Sequence, residues 1–102
     1  SFFKNPTIAL TQYDSIREHY PKIPSYYVDN QYVKIPAGWL IEQCGWKGFT
    51  RDGIGVHPRQ ALVLVNYGNG NGRKIYELAM EIQSSVNEKF NIQLSPEVNI
   101  IA

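Results

Sequence analysis

The chain has 102 residues, 43% hydrophobic and 19% charged, with a formal net charge of +1. That is one domain with a core of its own and the composition of a soluble globular protein. The near balance of charge argues against a nucleic-acid partner, and the longest apolar run, Ala61-Leu62-Val63-Leu64-Val65, is far too short to cross a membrane. The single cysteine, Cys44, excludes an intrachain disulfide and is compatible with a reducing compartment.

Along the chain, Thr11 followed by Asp14 resembles a capping box and starts a helix that carries Tyr13, Ile16 and Tyr20 on one face and stops at Pro21. Residues 22–31 have no helical period and read as loop. Residues 32–35 alternate as a short strand. Pro36 suits the first turn of a helix that runs to Cys44, with Gly45 as its terminator. Gly48, Gly53 and Gly55 then mark turns. Residues 61–65, apolar on both faces, predict a strand central in a covered sheet. The longest helix spans 71–89, with Ile75, Leu78, Ala79, Ile82 and Val86 on one stripe. Residues 98–101 read as a last strand. The fold class is α+β: a small, mostly antiparallel sheet with about three helices packed mainly on one face.

Most chemistry-bearing groups have plain explanations. Gly68-Asn69-Gly70-Asn71-Gly72 lies between a strand and a helix, where backbone amides can hold phosphate. The dinucleotide fingerprint needs another glycine where Arg73 stands, so the run reads as a flexible loop. His19 and His57 lack metal-ligand spacing to Cys44 or to an acidic pair, and no metal is assigned; His57 has polar loop duty by default. Cys44 lacks a basic neighbour pair and reads as a small core residue. Phe2 and Phe3 point to opposite sides if extended, so one of them can anchor Ser1. Glu97 stands between apolar flanks, which would leave its carboxyl partly desolvated.

Four blocks together carry a resemblance. These are Ser1-Phe2-Phe3-Lys4-Asn5-Pro6, then 37–48 (Ala37-Gly38-Trp39-Leu40-Ile41-Glu42-Gln43-Cys44-Gly45-Trp46-Lys47-Gly48), then Gly55-Val56-His57 with 60–66, and finally Glu88-Lys89-Phe90 with Leu94 and Pro96-Glu97-Val98. In that order and spacing the chain resembles the UDP-N-acetylenolpyruvoylglucosamine reductase (MurB) family, in its type I form. The resemblance implies that 1–102 is a single domain, the C-terminal substrate-binding domain of a larger cytoplasmic flavoenzyme of bacterial peptidoglycan synthesis. Its substrate would be UDP-N-acetylglucosamine enolpyruvate. FAD would be bound by earlier domains of the same polypeptide, NADPH would be the reductant, and this fragment would be inactive alone. It implies catalytic roles for Ser1 (general acid) and Glu97, and substrate contacts for Asn5, Tyr26, Lys34 and Gln60, with Tyr27 the alternative to Tyr26. Asn99 stands where the family usually has arginine, and an amide cannot offer a carboxylate the same charged fork. Two other readings are a stand-alone nucleotide-sugar or protein-binding module and an autoprocessed hydrolase using Ser1 and its own amine. The coding sequence upstream of Ser1 discriminates among the three.

Overall fold

Ile8 and Val33 set the first sheet. Each sits between two less buried neighbours, the period-two pattern of a strand with one covered face. In the computed structural model, which describes residues 2–61, 63–68 and 71–97, these two residues lie opposite each other. Strand β1 (Thr7–Ala9) pairs antiparallel with β3 (Tyr32–Lys34) in the register Thr7↔Lys34, Ile8↔Val33, Ala9↔Tyr32. Strand β2 (Tyr26–Tyr27) adds to the other side of β3, giving the order β1-β3-β2. Part of the segment expected to be loop is therefore strand; two residues are too few to show alternation. Between β2 and β3, Asp29 Oδ1 accepts from the backbone N–H groups of Gln31 and Tyr32 at 2.8 and 2.9 Å, a side-chain-stabilised turn.

Helix α1 (Leu10–His19) follows β1 without a break, and its N-cap is Ala9, with no side-chain cap. Thr11 lies inside the helix, so the capping-box reading is corrected. The reason is tertiary: Leu10 N–H donates to Gln31 O at 2.8 Å, which satisfies a helix-start donor from a neighbouring turn. Tyr13 is buried on the inner face and its hydroxyl donates to Ile23 O at 3.2 Å. Helix α2 (Ala37–Gln43) starts after Pro36 and ends at Cys44, where Gly45 takes φ +83°. That left-handed position is cheap only for a residue without Cβ.

The remaining strands form a second sheet. Strands β4 (Thr50–Arg51), β5 (Ile54–Val56) and β6 (Leu64–Asn66) pair antiparallel in the order β4-β5-β6. Asp52 and Gly53, at φ +54° and +79°, close the tight β4–β5 hairpin. Two expectations change here. Gly55 lies inside β5, paired with Thr50 and Val65, rather than in a turn, and its lack of a side chain serves close packing: a Cβ there would stand 2.5 Å from Phe49 O. The strand expected over 61–65 is displaced to 64–66 and lies at the sheet's edge. Val63 N–H donates to Gln60 O at 2.9 Å, so the chain is still turning there, and β5 takes the central place.

Helix α3 (Gly72–Phe90) has the expected stripe, with Leu78, Ala79, Ile82, Val86 and Phe90 buried. Asn71 caps it, its side chain accepting from Lys74 N–H at 3.0 Å, and Asn91 ends it in the left-handed region at φ +55°. Helix α3 packs on β5 and on α2, and α1 packs on the first sheet. Tyr20, Trp39 and Phe90, one from each helix region, meet with ring centroids 5.2–5.8 Å apart. The fold is α+β, with three helices and two three-stranded antiparallel sheets rather than one. The expected strand over 98–101 lies outside the described residues. No described helix is long and apolar enough to cross a membrane.

Candidate functional site

The opening segment is pinned from two sides. Phe3 is 1% exposed and forms an antiparallel bridge with Pro96. On either side of that bridge, Lys4 N–H donates to Ser95 O at 2.9 Å and Glu97 N–H donates to Phe2 O at 2.7 Å. The backbone at Glu97 is thus bonded to the residue that follows Ser1. Phe2 packs edge-on against Phe3 at 5.2 Å and only partly enters the core, so Phe3 is the anchor. Ser1 and Asn99 lie outside the described residues. Glu97 is exposed on this chain, so the expected partial desolvation is not supplied by its apolar flanks.

On its other side the opening segment is tied to the start of α2. Asn5 Oδ1 accepts from Ala37 N–H at 2.8 Å, and Pro6 O accepts from Ile35 N–H at 2.9 Å. Asn5 therefore caps a helix 32 positions away in sequence. Proline at position 36 cannot donate and its side chain cannot cap, so a distant amide supplies the acceptor.

Lys34 and Tyr26 are directly opposite each other on β3 and β2, with Thr7 completing the row on β1. Residues paired this way project to the same face. It is the face away from buried Val33, and both Lys34 and Tyr26 are exposed. Tyr27 is opposite Val33 instead and is 83% exposed at the sheet edge. The row places one ammonium and one phenol side by side, a donor pair suited to phosphate oxygens.

Gln60 belongs to the other sheet, on the connection between β5 and β6. His57 N–H donates to Val63 O at 2.9 Å and closes that connection. Inside it, His57 Nδ1 accepts from the N–H groups of Arg59 and Gln60 at 3.1 and 3.2 Å. The default of loop duty for His57 has this specific form. A cleft of about 200 Å³ lined by Phe2, Val63, Leu64 and Ile75 connects the end of this loop with the residue after Ser1. The structure thus joins the segments of Phe2 and Glu97, sets Tyr26 beside Lys34, and makes Asn5 the cap of α2. Gln60 approaches the opening segment only through its loop. A wider cleft of about 420 Å³ between Tyr20, Lys22 and Trp39 contains none of these residues.

Elsewhere, burial pushes the Cys44 thiol up against the opposing influences of Ser85 and Lys89, as fits a packing residue rather than a nucleophile. Among the described residues no group of three or more His, Cys, Asp or Glu is placed to hold a metal ion. At the described ends of the glycine–asparagine loop, two side chains are engaged by the backbone. The Asn71 side chain already takes Lys74 N–H, and the Asn66 side chain takes Gly68 N–H at 2.9 Å.

Residues 1–101 match the family described as UDP-N-acetylenolpyruvoylglucosamine reductase, C-terminal domain. The chain belongs to this family. It is 54% identical over 101 residues to the UDP-N-acetylenolpyruvoylglucosamine reductase of Amoebophilus asiaticus, a span covering 99% of this chain and 30% of that relative. It is 50% identical over 101 residues to the reductase of Porphyromonas gingivalis, covering 99% of this chain and 30% of the relative. Against the reductase of Pectobacterium atrosepticum it is 50% identical over 102 residues, 100% of this chain and 30% of the relative. The chain thus spans about 30% of the length of the curated relatives it matches.

Proposed function

We propose that this chain is the substrate-binding domain of an FAD-dependent, NADPH-consuming reductase. The enzyme would convert UDP-N-acetylglucosamine enolpyruvate to UDP-N-acetylmuramate for peptidoglycan in the bacterial cytoplasm. Family membership supports the reaction class. The observation that carries the site is the backbone pairing of residues 2–4 with 95–97, which brings the segments of the proton donor and the acid together. FAD and NADPH are assigned to other domains of the same polypeptide.

Bound by those domains, FAD would supply a hydride to the substrate. Hydride addition to the terminal methylene of the enolpyruvyl group leaves negative charge on the adjacent carbon and its carboxylate. Preplaced donors must stabilise that charge. Lys34 and Tyr26 hold the diphosphate, and Asn5 and Gln60 add neutral polar contacts. Glu97 meets the pyruvyl carboxylate. Ser1 then gives its hydroxyl proton to the carbanionic carbon: the O–H bond breaks, a C–H bond forms, and the alkoxide is reprotonated from solvent. A small donor on a fixed backbone delivers the proton to one face. Because Glu97 is exposed on this chain, the substrate and the other domains complete its surroundings.

The test uses the full-length polypeptide. Ser1→Ala leaves flavin reduction by NADPH near normal and lowers sugar-nucleotide turnover by about 10²–10⁴-fold, the usual worth of a positioned acid. Lys34→Ala raises the dissociation constant for the sugar nucleotide about tenfold, as expected for one lost charge-assisted contact. Normal turnover in the first variant, or unchanged binding in the second, removes that residue from the site.

A further inference from the structure

The connection between β5 and β6 must satisfy its own backbone. Pro58 has no N–H, and its ring fixes φ near about −65° at the second position of the turn. The next two amides, of Arg59 and Gln60, both point at one atom, His57 Nδ1. The same protein makes this pattern once more with different chemistry. Asp29 Oδ1 accepts from the amides two and three residues on, at 2.8 and 2.9 Å. At His57 the two bonds share a single ring lone pair and are longer, 3.1 and 3.2 Å.

Both backbone polar groups of Gln60 are engaged. Its N–H goes to His57 Nδ1, and its C=O accepts from Val63 N–H at 2.9 Å. Only the exposed side chain is left to meet a ligand. His57 itself touches the turn and not the proposed substrate row on β2 and β3. We infer that His57 is a positioning residue for the reductase: its Nδ1, accepting both amides, fixes the turn that presents the Gln60 amide to the sugar nucleotide. This rests on the reading of Gln60 as a substrate contact.

The geometry names its own rescue. Asparagine places Oδ1 the same number of bonds from the backbone as His Nδ1 and can accept from the same two amides. Glutamine is one carbon too long. In the full-length enzyme, His57→Ala raises KM for the sugar nucleotide about fivefold to tenfold, the worth of the lost turn bonds, with kcat and KM for NADPH within about twofold. Hydrogen exchange at the Arg59 and Gln60 amides speeds up in the same variant. His57→Asn restores both readouts, and His57→Gln restores neither. Unchanged amide exchange in His57→Ala overturns the inference, as does an Asn variant that behaves like the Ala variant. Gln60→Ala separates the two levels. If it raises KM while His57→Ala does not, only the positioning role falls. If it leaves KM unchanged, the reading of Gln60 beneath it falls, and the presenting role falls with it.

Discussion

The two sheets are equal in strand number and both antiparallel, yet they treat side chains in opposite ways. The middle strand of the first, β3, is exposed, buried, exposed; the middle strand of the second, β5, is buried at all three residues. A strand with one open face can offer groups to solvent without disturbing its packing, whereas a strand covered on both faces has no room for them. The candidate residues follow this difference. Lys34 and Tyr26 stand on strands of the open sheet, and the covered sheet contributes only Gln60, from a connection beyond its strands.

Gly55→Ala should separate the sheets most strongly. The new Cβ would meet Phe49 O at 2.5 Å and Thr50 Cγ2 at 2.9 Å, and a backbone oxygen cannot swing aside. A loss of about 3 kcal/mol is expected in urea unfolding. Its counterpart on the open sheet, Lys34→Ala, should stay within about 0.5 kcal/mol. Equal losses would break the comparison. Asn5→Ala comes next, at about 1 kcal/mol for a lost helix cap, while Asn5→Asp keeps the acceptor and most of the stability. A thermal melt unmoved by Asn5→Ala would show that the bond to Ala37 contributes nothing.

The smallest effect concerns how the covered sheet is fastened. Arg51 on β4 pairs with Glu81 on α3, and the guanidinium holds the Glu81 carboxyl below the usual carboxylate range. A depressed acid favours the folded state above its unfolded pKa, and that contribution is lost as pH falls through the folded value. Both groups face solvent, so screening keeps the effect slight. Glu81→Gln should flatten the acid limb of Tm against pH a little; an unaltered slope would mean that the pair does not help to hold α3 to the sheet.

What could be read in advance was what is local. The stripe on α3 repeats from Leu78 to Phe90, and Gly45 and Asn71 are end signals whose effect needs only neighbouring residues. The strand β3 was legible because its alternation survives in three residues. What escaped the sequence depends on distant partners. Helix α1 starts at Leu10 because Gln31 accepts its amide, β2 exists because β3 lies beside it, and β6 is displaced because the turn at Gln60 runs on to Val63. In the candidate site, both segments that carry the resemblance's catalytic residues could be named from their motifs, and the backbone bond from Glu97 to Phe2 joins those segments. The capping role of Asn5 and the double acceptor at His57 were not read. The first needs a partner from another element. For the second, a histidine two and three residues before amides that follow a proline was the available signal.

The bridge between Phe3 and Pro96 also has a consequence in time. During synthesis the early residues emerge first, and domains build from that side. Phe3 must then wait for almost the whole domain to be translated before its partner leaves the ribosome, and closing so long a span is entropically slow to reward. Until that moment the nascent domain can possess its helices and the β4–β5 hairpin while its opening segment still lacks its last backbone partner.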